Sequence, residues 1–453
     1  MKNEMPNLLI NCLRQVPSER VFLKVEGDSY TFGRMVELCL EFHDNFQRLK
    51  NKSCAVVSED RESLALYLPA IDYLCHQVFL QPDDISGNEA DFYESASIDY
   101  VIRLGNCFVR SIESITDGIP SAEKQEEQPA GYILATSGTT GTPKLASYTL
   151  DSLTATTQRN IERGQEFVWG LSYDINRFAG LQVYLQSIVG GSTLVIPPKD
   201  ASIDSLIDVY TNHRVNCLSA TPSFWRKALM VPSHKNIPLK RITLGGEISN
   251  QNILTALSNS FPMANIVHIY ASTEAGVGFA VKDKLEGFPA HFLTEQSNLE
   301  CKLKVENGLL CIQSKHGCSK FLNGEIDVSP NGYINTGDLV DIKGDRVIFL
   351  GRESGSINVG GNKVMPEKIE AVLEGSPFVS MAMVYAKKSP VLGAIVTADI
   401  VTTEQGASLD NKELKAVLIS FCRDKLVSFE IPAILKRVEA IAMNATGKKI
   451  RNK

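Results

Sequence analysis

The chain has 453 residues, 43% of them hydrophobic and 22% charged, which is too long for one ordinary core and implies two or more globular domains. The formal net charge of −6 argues against a sequence-independent grip on nucleic acid, which needs an excess of lysine and arginine; small molecules or a protein are the expected partners. Ten cysteines stand singly without CxxC or zinc-ligand spacing, and no apolar run has the length of a signal peptide or a membrane span, so a cytoplasmic protein with no membrane span is expected.

In chain order, residues 1–130 read as a compact first α/β lobe, with strands at 21–25 and 55–57 and an amphipathic helix at 32–46. Residues 121–128, rich in Glu, Lys and Gln, have no apolar period and read as a solvated linker. Short apolar runs then alternate with helical patterns up to residue 350, as in the strand-helix units of a mostly parallel sheet. The strands fall at 132–135, 193–196, 214–218, 241–244 and 266–270, and one helix runs from 150 to 163 and stops at Gly164 in a left-handed C-terminal position.

The strand at 132–135 opens into Ala135-Thr136-Ser137-Gly138-Thr139-Thr140-Gly141-Thr142-Pro143-Lys144. Glycine lets main chain approach an anion closely, and successive N–H and hydroxyl groups replace its hydration shell. The spacing is not that of the common P-loop, and taken alone the segment reads more readily as a surface loop of small polar residues. Gly245-Gly246-Glu247 and Tyr270-Ala271-Ser272-Thr273-Glu274 also follow candidate strands, where ligands collect in such sheets. Beyond Gly351 the pattern changes to a helix at 366–373, strands at 379–385 and 395–401, a capping box Asp410 to Glu413 before a helix at 414–426, and a last strand at 434–438.

The loop Ser137 to Lys144 resembles the signature loop of the adenylate-forming (ANL) superfamily, which comprises AMP-forming acyl-CoA synthetases, peptide-synthetase adenylation domains and luciferases. Further motifs of that superfamily follow in order: Tyr270 to Glu274, Thr336-Gly337-Asp338, Gly351-Arg352, Gly360-Gly361 and Thr446-Gly447-Lys448. The resemblance implies a large multi-lobed α/β domain, residues 1–351, that binds AMP and the acyl group, and a small mobile α+β lid, residues 352–453. It also implies ATP-dependent activation of a carboxylic acid to acyl-AMP with release of pyrophosphate, then transfer to the thiol of CoA.

By the same resemblance, Thr136, Ser137, Gly138, Thr139, Thr140, Gly141 and Lys144 would cradle the β- and γ-phosphates. Gly245, Gly246 and Glu247 would border the adenine and acyl pockets, and Ala271 and Ser272 would line the nucleotide beside Tyr270, whose ring would stack on adenine. Thr273 would donate to the α-phosphate, Glu274 would hold magnesium, and Asp338 with Arg352 would hold the ribose. Lys448 would bridge carboxylate and α-phosphate, and Gly360 and Gly361 would line the path of the pantetheine arm. On composition alone, Lys448, Lys449, Arg451 and Lys453 form a basic tail that reads as solvated.

Three positions depart from the superfamily pattern. Ser354 replaces the usual hinge Asp or Lys, Leu150 stands where many members have histidine, and Arg177 occupies a pocket position, where it either accepts an acidic acyl chain or faces outward. The acyl pocket is expected to be walled by Trp169, Tyr173, Arg177, Phe178, Ala179 and Gly180, together with residues 219–222 and 276–279. Two other readings share these motifs: an enzyme that loads a carrier-protein phosphopantetheine thiol (an acyl or peptidyl carrier protein being the partner), and a non-catalytic nucleotide-binding homologue.

Overall fold

The computed structural model describes residues 8–85, 89–115, 131–136, 143–294, 297–325, 328–389, 393–443 and 448–450. An eight-stranded sheet has six parallel strands in the order Asn265–Ser272, Arg241–Leu244, Cys217–Ala220, Val168–Gly170, Thr193–Val195 and Val21–Val25, with Gly276–Val281 and Asp28–Thr31 antiparallel at its edges. A seven-stranded sheet orders Lys320–Phe321, Leu145–Thr149, Gly131–Ala135, Gln77–Leu80, Ser53–Ser58, Tyr100–Gly105 and Phe108–Ser114. The two share one hydrophobic core, in which Phe22, Leu23, Leu134, Tyr184 and Leu194 are buried together.

This weaving corrects the expectation of a self-contained lobe over residues 1–130. Val21–Val25 pairs with Thr193–Val195, Leu23 facing Leu194, while Gly131–Ala135 completes the sheet begun by Ser53–Ser58 and Gln77–Leu80. Apolar alternation marks a strand but carries no information on its partner, so the exchange of strands between sheets is invisible to it. The expected linker at 121–128 lies outside the described residues.

Several element boundaries also moved, among them the helix expected at 414–426, which is Asn411–Arg423, and two of the shifts have clear local reasons. The strand expected at 214–218 begins at Cys217, because Arg214 adopts φ 55° and ends the preceding helix. The helix expected over 150–163 is two short helices, Leu150–Thr154 and Ile161–Gly164. Thr154 and Thr157 turn their hydroxyls back onto the carbonyls of Leu150 and Thr154, and Asn160 caps a new start by accepting from the Arg163 N–H. Gly164 is not left-handed; it is needed because any side chain there would run into the Gly190 carbonyl.

A five-stranded antiparallel sheet, Phe288–Pro289, Arg346–Arg352, Ile334–Lys343, Leu309–Ser314 and Cys301–Glu306, continues the large domain. The C-terminal part has its own core. Val379–Ser389, Gly393–Thr402 and Ile434–Arg437 form a sheet covered by the helices Pro366–Glu374 and Asn411–Arg423, with Ile369, Leu373, Val384, Ile400 and Leu418 buried between them. The capping box is present: Asp410 accepts from the Glu413 N–H and Glu413 accepts from the Asp410 N–H. No helix among the described residues is long and apolar enough to cross a membrane.

Candidate active site

The site is built where parallel strands end. Residues 137–142, which contain Ser137, Gly138, Thr139, Thr140 and Gly141, lie outside the described residues; the root of their loop does not. The Thr136 N–H donates to the Lys144 carbonyl at 2.8 Å, and the Lys144 N–H donates to Thr136 Oγ1 at 3.0 Å, so two bonds clasp the ends of the loop together. The Lys144 ammonium lies 5.0 Å from the centre of the Phe321 ring and 3.4 Å from the Glu325 carbonyl.

Arg177 supports this root from behind. Its side chain is buried, Nη1 donates to the Ala135 carbonyl at 3.2 Å, and Nη2 pairs with Asp84. The outward-facing reading is therefore wrong, and the charge proposed for an acidic acyl chain is already neutralised by Asp84. One other expected pocket wall is displaced as well. Trp169 lies under Arg241, with the guanidinium carbon 5.7 Å from the ring centre, at the end of the sheet where its strands begin. Gly180 is packed against the Asp174 carbonyl, which leaves no room for a side chain. Leu150, in the place of the usual histidine, is buried at the start of its helix.

The Tyr270 to Glu274 segment ends a strand and is held from three sides. The Ala275 N–H donates to Ser272 Oγ at 3.1 Å, the Tyr148 hydroxyl donates to the Thr273 carbonyl, and the Cys318 N–H donates to the Glu274 carbonyl at 3.1 Å. Ala271 faces Val277 across a local irregularity in the strand pair. Gly276, at φ 68°, is overlain by the His316 carbonyl, so a side chain there is excluded on both counts. Thr273 and Glu274 are thus presented at a rigid turn.

Tyr270 lies in a row of aromatic rings. Its ring is nearly parallel to those of Phe279 and Phe349, with centres 5.2 and 5.4 Å away. Tyr270 joins the site through its hydroxyl, which donates to Asp338 Oδ2 at 2.6 Å. Burial and the adjacent Asp338 carboxylate push this phenol well above its ordinary pKa, so it stays a donor. The other carboxylate oxygen, Oδ1, accepts from Arg352 Nε at 3.3 Å. Thr336 Oγ1 donates to the Leu310 carbonyl and accepts from the Asp338 N–H at 3.1 Å, fixing an irregular stretch of the strand Ile334–Lys343 in which Gly337 takes φ 72°.

Lys448 completes the group. Its side chain passes Gly246, where a Cβ would lie 3.4 Å from Lys448 Cε, and Gly246 also needs φ 82°. Any other residue there would crowd the lysine. Burial lowers the Lys448 pKa, Arg352 lowers it further, and Glu247, Asp338 and Glu274 act in the opposite direction. These groups share one electrostatic neighbourhood. The reading of Lys448 and Lys449 as a solvated tail is therefore overturned. Glu247 accepts from the Ser223 N–H at 2.9 Å and from the Lys449 N–H at 3.3 Å, so its carboxylate ties chain segments together. Gly245 has only the Ile269 carbonyl nearby, 3.8 Å from a built Cβ. Gly360 and Gly361 form the tip of a tight hairpin between Ile357–Val359 and Asn362–Val364, both at positive φ, and a Cβ at Gly361 would meet nothing within 4 Å. Ser354 lies in a single exposed turn, Glu353–Gly355.

The sequence comparisons bear on this arrangement. The family model for AMP-binding enzymes matches residues 55–304, and that for the AMP-binding enzyme C-terminal domain matches residues 368–448. The chain belongs to the AMP-binding enzyme family. A relative within it, the 2-succinylbenzoate–CoA ligase of Bacillus velezensis, is 24% identical over 100% of this chain and 98% of its own length. Solved structures share the fold of this AMP-binding enzyme. The o-succinylbenzoate CoA synthetase of Bacillus subtilis in complex with the acyl-adenylate OSB-AMP matches with a TM-score of 0.73 at 20% identity, covering 99% of this chain and 98% of that one. ATP-bound MatB from Rhodopseudomonas palustris matches with a TM-score of 0.71 at 18% identity, covering 98% and 97%.

Reading the sequence missed four groups in this AMP-binding enzyme: Arg226, Glu370, Glu374 and Lys449, which are buried together behind Lys448. Glu370 and Glu374 lie one helical turn apart, a spacing that signals a shared face. Nothing in the sequence said that the face was buried against a lysine.

Proposed function

We propose that this protein is an AMP-forming acid–CoA ligase. In the first step, a carboxylate oxygen of the acid attacks the α-phosphorus of ATP, the bond to the pyrophosphate oxygen breaks, and acyl-AMP forms. In the second, the sulfur of CoA, as thiolate, attacks the acyl carbonyl and AMP leaves with the bonding electrons. The observation that carries the reading is Lys448, brought from the C-terminal part into the neighbourhood of Glu247, Glu274, Asp338 and Arg352. Two anions must meet in the first step, and a buried cation among fixed partners suits the charge that develops between them.

The other residues take supporting parts. Asp338, oriented by Tyr270 and Arg352, would accept from the ribose hydroxyls. Glu274 is a hard oxygen donor at a rigid turn, and with the phosphates of ATP it fits magnesium, which would supply charge neutralisation on those phosphates. Thr273 would donate to the α-phosphate, and Thr136 and Lys144 hold the root of the loop that would receive the outer phosphates. The lid is taken to begin at Arg352. Ten thiols, none of them in a disulfide, support the cytoplasmic reading.

The test is ATP-to-AMP turnover over a panel of carboxylic acids led by 2-succinylbenzoate, the substrate named for the Bacillus velezensis relative, each with and without CoA. Turnover that requires both an acid and CoA is the expected result. Pyrophosphate release that ignores CoA would redirect the second step to a carrier-protein thiol, and silence across the panel would overturn the ligase reading.

A pH profile gives a second check. Burial and Arg352 hold the Lys448 pKa below its ordinary value of 10.5, and the role requires the protonated form. The alkaline limb of kcat/KM for ATP, which reports the free enzyme, is therefore expected to fall below pH 10.5 and to disappear in Lys448→Ala. A wild-type profile that stays flat to pH 10.5 would contradict the assignment.

A further inference from the structure

Lys448 and its neighbour Lys449 divide their attention between the two domains. Lys448 extends past Gly246 of the large domain, whereas the Lys449 ammonium turns into the lid and donates to Glu370 Oε2 at 3.1 Å, Glu374 Oε1 at 2.9 Å and the Ala382 carbonyl at 2.7 Å. These three bonds use all three ammonium protons. The pair of carboxylates is anchored in turn, since the Val384 N–H donates to Glu370 Oε1 and the Ala382 N–H donates to Glu374 Oε1.

The chain of charge then crosses to the large domain twice. Glu374 Oε2 pairs with Arg226 Nη2 at 2.9 Å, and Arg226 belongs to the helix Pro222–Met230, where its guanidinium also donates to Asn250 Oδ1 at 2.9 Å. The side chains of Arg226 and Glu374 are only 9% and 2% exposed. The second crossing is Glu247, with one carboxylate oxygen on the Ser223 N–H and the other on the Lys449 N–H. Asn252 adds a bond to the Ala371 carbonyl at 3.0 Å. Burial alone would raise the Glu374 pKa, yet Lys449 and Arg226 outweigh it and hold the carboxyl below its ordinary value. The carboxylate is therefore charged and paired on both sides.

A buried ion pair adds little net stability against an apolar substitute, but removing one partner strands the other, so such a pair is better suited to selecting one arrangement than to strengthening it. Here the arrangement selected is the one that carries Lys448. We propose that Arg226 and Glu374 are positioning residues for acyl-adenylate formation: with Lys449 and Glu247 they latch the lid onto the large domain so that Lys448 is held in the site. The role of Lys448 itself rests on the function proposed above. The latch does not.

The test uses the full chain and Arg226→Met, which keeps the aliphatic stem, removes the charge and leaves Glu374 paired with Lys449 inside the lid. Trypsin cleavage after Lys448 and Lys449, followed by intact mass, needs no substrate. Release of the C-terminal segment is expected to be about tenfold faster in R226M than in wild type, and slow again in R226K. With an acid that is turned over, ATP–pyrophosphate exchange in R226M should show kcat about tenfold lower and KM for ATP within about twofold, with recovery in R226K. Equal tryptic release in wild type and R226M would overturn the latch whatever the enzyme turns over. Faster release in R226M with no acid accepted would uphold the latch and count against the ligase reading alone.

Discussion

Replacing Lys448 with alanine is expected to lower acyl-adenylate formation about 10²- to 10³-fold, the range seen when a group aimed at developing charge is removed from a closed site. Binding of ATP should change by less than about threefold, because an interaction realised mainly in the transition state appears in kcat and not in ground-state affinity. The geometry argues for this split. Lys448 is buried beside Gly246, and its charge is opposed by burial and Arg352 but sustained by Glu247, Asp338 and Glu274. Such a cation is held in readiness for a further anion, and the meeting of carboxylate and α-phosphate supplies two. ATP–pyrophosphate exchange and calorimetric titration with ATP measure the two quantities separately. Adenylation retained in the alanine variant would remove Lys448 from the mechanism.

The parts legible in the sequence are those fixed by local chemistry. The capping box at Asp410 and Glu413 and the strand Arg241–Leu244 follow from neighbours in the chain, and the structure has both where the sequence puts them. Residues whose roles depend on distant partners were read poorly. By sequence Arg177 fits either a substrate contact or a surface position, whereas in the fold it is a buried strut between Asp84 and the Ala135 carbonyl, partners far away in the chain. Trp169, an expected wall of the acyl pocket, is delivered by its strand to the opposite end of the sheet, under Arg241. By composition Lys449 belongs with its neighbours to a solvated tail, as a run of cations usually does. Only the fold reveals that Glu370 and Glu374, some eighty residues earlier by the numbering, wait for it in the lid. Periodicity reports burial of a face, never the identity of what covers it.

Asp338→Ala is expected to act on both affinity and stability, and the two effects can be separated. One carboxylate oxygen takes the Tyr270 hydroxyl at 2.6 Å and the other takes Arg352 Nε at 3.3 Å. Each oxygen retains a further lone pair, which is the acceptor capacity a ribose diol requires. Loss of hydrogen bonds to a charged acceptor is worth about 1.5–3 kcal/mol each, so losing the pair to the ribose diol should weaken ATP binding roughly 10²- to 10⁴-fold. The same change strands the Tyr270 hydroxyl against Phe279 and Phe349, at a cost of about 1–3 kcal/mol, and lowers Tm. Asp338→Asn distinguishes the contributions. Its carbonyl oxygen still accepts from Tyr270, so Tm should largely return, whereas its amide offers the ribose donors in place of an acceptor and ATP affinity should stay low. Thermal melts and ATP titrations of the two variants measure this directly. An ATP Kd unchanged in Asp338→Ala would sink the ribose assignment, while a Tm unchanged in that variant would show that Tyr270 had found another acceptor.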